Sequence, residues 1–431
     1  MHVKAFRWIL TASLVVAVLG CYQPVTEGYS ATASAPDSTL TRIERSSSEP
    51  FNFETLVPVQ LKVEVAYYGL ERTPVSDDSP AIVTVLSATG SQAYKGSARP
   101  HEDLDASLTV PISEELYRII VEKPGYERES FEIERPGELA RIDIDANLRQ
   151  ARAIRSQAAG QTDRDGDGDG IPDVYDADPT EDSIAFSSTT PPDGQLTVAY
   201  EDNFPRLGDG DYNDFLASYT VTTSSDTDNR MVEVTVDATA RAKVAGYDHE
   251  FGFVVEFPGL TGLLTAYYGP ADGSDTRYTA FRQTVNDKTR VKLFDSTAEA
   301  VSSSPMYAAF FSITSLQPID ENNPPEPWVV STAPLDPYLY IHNTTYDVHL
   351  IGKPELEGTN NPPETFDWDF RDQAGYPRAL LVPTDWGHPR ETLHIEEAYP
   401  DFRAWRETEG EEATDWYLNP EPDQVVYPPS P

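Results

Sequence analysis

Five aspartates recur at a spacing that suits a hard cation. Numbering a twelve-residue loop from Asp165 puts Asp167 at position 3, Asp169 at 5 and Gly170 at 6. Ile171 then offers a carbonyl at 7, Asp173 falls at 9 and Asp176 at 12. Calcium takes about six to eight oxygen ligands, and this frame fills every ligand slot, including the glycine that permits the sharp turn. Counting from Asp163 instead puts Ile171 at 9 and Val174 at 12, so that frame fails. Asp163 and Asp178 stand beside the loop as further ligands. A solvated acidic linker is the plainer alternative, but it does not demand this register.

A second acidic stretch reads Glu201-Asp202-Asn203, then Asp209-Gly210-Asp211-Tyr212-Asn213-Asp214. It opens as a metal loop does, yet no acid falls at its ninth or twelfth position. Glu201 or Asp202, at a strand end, could complete the shell from a distance. A polar hairpin turn accounts for the same residues, and both readings stand.

Other chemistries lack their residues. There is no H-E-x-x-H, no G-x-S-x-G elbow, no P-loop and no G-x-G-x-x-G. On a strand His342 and His349 would face opposite sides, which disfavours zinc. Carboxylate pairs say little in a chain with 72 acidic side chains. The single cysteine, Cys21, excludes structural disulfides and Cys/His catalytic pairs. It closes a basic and apolar leader, with Lys4 and Arg7 ahead of a run ending Val18-Leu19-Gly20-Cys21. That ending resembles a bacterial lipobox, in which the cysteine becomes the lipidated first residue. Tyr22 rather than aspartate follows, which by resemblance to Gram-negative sorting favours the outer membrane.

The elements that must position these residues read as strands. Val57, Val59, Leu61, Val63, Val65 and Tyr67 alternate with polar neighbours, the period of a half-buried strand. Further runs fall at 81–86, 106–110, 117–121, 131–133 and 140–146. After the Asp/Gly loop, Val232 to Val244 and then Phe251 to Phe257 repeat the alternation. Thirty-six prolines also argue against long helices.

The expected organisation is a signal peptide over 1–20, a flexible tether over 21–54 and a β-sandwich over 55–148. A linker with the calcium loop (149–184), a larger β-domain (185–420) and a tail (421–431) complete it. The fold class is therefore all-β: a small N-terminal β-sandwich, the Asp-rich calcium loop, and a larger C-terminal β-sandwich or jelly-roll-like domain.

Three resemblances follow from these residues. The stretch from Tyr117 to Tyr126 is similar to prealbumin-like modules, and the 165–176 loop resembles thrombospondin type 3 repeats. Leu196 to Asp202, Phe204-Pro205, Gly208 to Phe215, Tyr247, His249 and Phe251 to Phe253 resemble the LruC-domain family of bacterial surface lipoproteins. Ala379 to Pro383, Trp386, Pro389, Glu396 to Pro400, Phe402, Trp405 and Asp415 to Tyr417 continue the match in the same order. Gly210 stands where that family usually has an aromatic, and Ser218 where an acid is common. The resemblance implies an exported, surface-associated protein with no established enzymatic activity.

Net charge narrows the partners. At a formal −40 the chain lacks the basic footprint that nucleic acid requires. One short apolar run excludes a polytopic membrane protein. The leading expectation is a calcium-stabilised, lipid-anchored protein of the cell envelope, held to the membrane through Cys21, with a binding or structural role. Its partner would be an extracellular or envelope protein or a glycan. One alternative is calcium-dependent carbohydrate binding or adhesion, with exposed Trp386, Trp405 or Trp416 as stacking platforms. Another is an envelope hydrolase using Glu201, Asp202 or Asp211.

Overall fold

The computed structural model describes residues 37–45, 51–151, 164–271, 283–315, 335–359 and 369–428, without the side chains of 256–261 and 283–287. Cys21 and Asp163 lie outside the described residues. The fold is all-β, as the alternation predicts.

The first module holds β1 (Thr39–Glu44), β2 (Leu56–Tyr68), β3 (Ala81–Leu86), β4 (Gln92–Ala98), β5 (Leu104–Pro111), β6 (Leu116–Glu122), β7 (Glu129–Glu134) and β8 (Leu139–Arg149). Two four-stranded sheets form, in orders β1-β8-β2-β5 and β4-β3-β6-β7. In β2 the apolar positions Val59, Leu61, Val63, Val65 and Tyr67 are all buried, so one face points inward along its whole length. They meet Val83, Val85, Tyr117, Ile119 and Val121 of the other sheet in a shared core.

The second module begins with β9 (Phe186–Thr190), β10 (Leu196–Tyr200), β11 (Phe215–Ser225), β12 (Met231–Ala242) and β13 (His249–Pro270). It continues with β14 (Gln283–Phe294), β15 (Tyr307–Ser315), β16 (Leu335–Ile341), β17 (Tyr346–Val348) and β18 (Ala379–Val382). One ten-stranded sheet carries them, with the main path β17-β16-β13-β15-β12-β11-β10-β18. The sheet folds across itself: Tyr219 of β11 meets Phe253 of β13 edge-on at 5.0 Å, although two strands separate them in the ladder. Phe251, Phe253, Phe294 and Phe311 fill the space between the two faces.

Beyond β18 the polypeptide caps the sheet with three short helical pieces. Ile395–Ala398 and Asp401–Glu407 are α-helical, and Trp416–Leu418 is a 3₁₀ turn. The 185–420 stretch therefore carries short helices within its strands. Phe402 and Trp405 are three residues apart, the spacing of one helical face.

This cap changes two expectations. Trp386, Trp405 and Trp416 are 1 %, 0 % and 0 % exposed, so none can stack on a glycan. They pack on one another and on Phe402, with Phe402 and Trp416 T-shaped at 4.8 Å. The tether expected over 21–54 is also partly structured. Thr39–Glu44 is a strand paired with β8, and Phe51 and Phe53 lie 5.0 and 5.7 Å from the Trp405 ring.

The modules meet along β4 and the loops beside it. Asp193 accepts from the hydroxyls of Ser87, Thr89 and Ser91 at 2.9, 2.6 and 2.5 Å. Asn229 accepts from the Ser97 N–H at 2.7 Å and donates to the Ser97 carbonyl at 2.9 Å. Among the described residues no helix is long and apolar enough to cross a membrane.

Candidate metal centres

The aspartate loop lies between the two modules. Ile171 is fully buried and joins Ile82 of the first module with Ala185 and Phe186 of the second in a small apolar cluster. Burying that side chain fixes the loop by its middle and turns the carboxylates either side of it inward. Asp165, Asp167 and Asp169 each bring an oxygen within 4.8 Å of the others. The backbone helps hold them: Asp165 accepts from Gly168 N–H at 2.7 Å and Gly170 N–H at 3.1 Å.

Gly168 and Gly170 have φ of +88° and +96°, where a Cβ is strained although nothing blocks it. Gly170→Ala should therefore destabilise the chain by about 1 kcal/mol, read from the denaturant midpoint. An unchanged midpoint would show that the turn at position 6 is not needed.

The oxygens left over are the informative ones. Asp167 Oδ2, Asp169 Oδ2 and Asp176 Oδ2 are buried and have no hydrogen-bond partner. A buried acceptor without a partner is expensive, and three in one loop ask for a cation. Burial, then the nearby Asp169 and Asp167 carboxylates, push Asp176 up to about 6. Burial raises Asp169 as well. Asp173 and Asp178 carry protein partners as well. Asp173 accepts from Gly166 N–H at 2.6 Å and pairs with Arg164 at 3.1 Å. Asp178 accepts from the Thr180 hydroxyl at 2.7 Å.

The second acidic stretch surrounds the end of β10. Glu201, Asp202, Asp211, Asn213 and Asp214 are all buried, which a solvated hairpin turn would not require, while Asp209 is exposed. Glu201, Asp209 and Asp211 bring one oxygen each within 4.8 Å of one another. Asp202 and Asp214 are drawn elsewhere. Asp214 accepts from Asp202 N–H at 2.6 Å, and Asp202 faces the His249 ring at 3.0 Å. Burial, with the neighbouring carboxylates, pushes Glu201 up to about 8, Asp211 to about 6 and Asp214 to about 9. The adjoining cavity holds about 120 Å³, below the roughly 300 Å³ at which small-molecule clefts begin.

Two buried histidine networks were not foreseen. His249 is fully buried between Asp202 and Thr297, each 3.0 Å away, with desolvation lowering its pKa. His349 is fully buried between Asp336 at 2.6 Å and Asp347 at 3.0 Å. Asp347 and His349 sit two apart, a local signal of a shared strand face. Asp202 and His249 are 47 residues apart and carry no such signal.

Residues 229–417 match a family described as "Domain of unknown function (DUF4842)". No curated protein matches the chain. Among solved structures it is similar to a protein of Bacteroides ovatus designated a candidate lipoprotein. The TM-score is 0.50 at 15% identity, covering 80% of this chain and 98% of that one, so the likeness concerns fold alone. The Bacillus anthracis TIE protein scores 0.16 at 9% identity, over 55% of this chain and 44% of that one. A carbohydrate-binding module of the β-sandwich superfamily scores 0.14 at 12% identity, over 65% and 93%. At those scores neither bears on the fold.

Proposed function

We propose that this chain is a lipid-anchored bacterial cell-envelope protein whose two β-modules are held together by a calcium-filled loop, and that its role is binding or structural rather than catalytic. One observation carries the calcium reading: the loop at the module junction buries three carboxylate oxygens that nothing else satisfies. Calcium fits that donor set better than magnesium, which demands a strict octahedron and keeps its waters. The thrombospondin type 3-like character of the loop belongs to this reading.

The fold likeness to a candidate lipoprotein supports an envelope location, and the lipobox ending at Cys21 supplies the anchor. Placement in the outer membrane follows from Tyr22 behind it. Likeness to the LruC-domain family is part of the same proposal. It is supported by how its distant motifs converge: β10 pairs with β18, and Tyr212 packs in one cluster with Trp386, Trp405 and Trp416. The role left open to the exposed surface is engagement of an envelope or extracellular protein or glycan.

Calorimetric titration of the chelator-stripped protein with calcium tests the reading directly. Uptake is expected, and its absence would overturn the calcium assignment. Cys21→Ser should separately remove the acyl chains and release the protein into the aqueous phase of a detergent partition. A variant that still partitions with detergent would refute the anchor.

A further inference from the structure

We propose that Glu201, Asp209 and Asp211 form a second hard-cation site, separate from the 165–176 loop, that pins the start of the second module to its C-terminal cap. This goes beyond the function proposed above and does not rest on the first loop binding anything.

Acidic residues gather on many surfaces without an ion, so the cluster alone proves little. What sets this one apart is Glu201. Its side chain is 2 % exposed, it lines the cavity, and its Oε2 has no hydrogen-bond partner. The other oxygen, Oε1, accepts from Tyr212 N–H at 2.7 Å, which fixes the carboxylate in place. A buried acceptor left empty beside two further carboxylates is the pattern that a bound cation completes. Asp211, 1 % exposed, accepts from Thr392 N–H at 2.7 Å. Among the described residues none of the three carboxylates has a cationic partner within ion-pair distance. Arg378 also lines the cavity; its Nη2 donates to the Arg206 carbonyl and its Nε has no hydrogen-bond partner, but it makes no ion pair with the three carboxylates.

The donor chemistry selects the ion class. His394 packs against Gly210 on the cavity wall, so a nitrogen ligand has to be considered. Its Nδ1 accepts from Glu396 N–H at 3.3 Å as the cap of a helix. In the neutral ring this places the proton on Nε2, and a protonated nitrogen cannot ligate. The donors are then all carboxylate oxygens, which suit calcium or magnesium and not zinc or copper. The cavity that Glu201 lines holds about 120 Å³, room for a few waters at about 30 Å³ each. Asp209 is the exposed member of the three.

An ion here would tie three distant segments together. Glu201 N–H donates to the Arg378 carbonyl at 2.9 Å, the Tyr212 hydroxyl to Pro377 at 2.7 Å, and Ile395 N–H to Gly210 at 2.7 Å. The site thus lies where the 201–214 stretch, the 377–378 turn and the 392–395 turn converge.

The test is calorimetric titration of the full chain, first stripped with chelator, using calcium chloride and in a second series magnesium chloride. An Asp167→Asn/Asp169→Asn variant disables the first loop at nearly constant shape, and calcium uptake should persist in it. Adding Glu201→Gln to that variant should abolish the remaining uptake. Adding Asp209→Asn instead should weaken it by about tenfold or more, since even second-shell losses reach that size. Because Asp209 is exposed, its variant should melt as its parent does, and it decides the matter if Glu201→Gln unfolds the chain. Calcium uptake by the wild type that vanishes in the first-loop variant overturns this site and leaves the junction loop standing. Unchanged affinity in both the Glu201 and Asp209 variants overturns it too. Loss in those variants, with uptake otherwise retained, supports it even if the wild-type junction loop proves empty.

Discussion

Replacing His349 by leucine should destabilise the second module by about 3–5 kcal/mol, the range for removing one partner of a buried ionic group. Both ring nitrogens face a carboxylate, Nδ1 toward Asp336 and Nε2 toward Asp347. Both nitrogens can donate only if the ring is charged, so the native state holds an imidazolium. Burial by itself would lower the pKa, but Asp336 and Asp347 outweigh it and hold the ring at about 9. The folded value thus lies above the unfolded one of about 6.5. This contribution is complete below about pH 6.5 and disappears as pH rises through about 9, a span worth roughly 3 kcal/mol.

Denaturant titrations at pH 6, 7.5 and 9 check the effect in wild type and variant. Glu201 and Asp214 titrate in the same window, so the informative quantity is the difference between the two proteins, in which those terms cancel. That difference should be largest at pH 6 and shrink toward pH 9. A gap below about 1 kcal/mol at pH 6, or one that does not change with pH, would refute the charged clamp.

Much of the fold was legible because its strands bury one face. The alternation from Val57 to Tyr67 placed β2 within a residue of its observed ends. In the first module two strands escaped for the opposite reason. β1 is an edge strand whose residues are mostly exposed, so it shows no apolar rhythm and is held by its ladder to β8. In β4 the sequence QAYKGSA buries only its small C-terminal residues, Ser97 bonded to Asn229 of the other module and Ala98 in its own module's core. No local pattern records those contacts.

The tryptophans show a limit of another kind. Composition cannot tell an exposed platform from a core, and here Phe51 and Phe53, far away in sequence, close over Trp405. The acidic loop was readable because its aspartates lie in one short segment. Burial of Glu201 was not, since it depends on the turn at Arg378, whose carbonyl binds the Glu201 N–H. Sequence spacing could not show that Asp173 also accepts from Gly166 N–H and pairs with Arg164.

Calcium should raise the melting temperature of the chain by on the order of 5 °C over the chelator-treated protein at a hundredfold excess over its dissociation constant. A ligand that binds only the folded state contributes about 2.7 kcal/mol under those conditions. The sign has a physical origin in the loop. Folding crowds Asp165, Asp167 and Asp169 together and strips water from oxygens that gain no partner. Without an ion this opposes docking of Ile171 between the modules, and a divalent cation reverses the penalty. The Asp167→Asn/Asp169→Asn variant discriminates further, because it removes two charges while keeping the loop's shape. In chelator it should melt no lower than the wild type, since repulsion is relieved. In calcium it should melt lower, since the ligands are gone. Magnesium should reproduce only a small part of the wild-type rise. Equal melting of wild type and variant in calcium would remove the ion from the junction, and a variant that melts lower in chelator would make the aspartates structural acceptors instead.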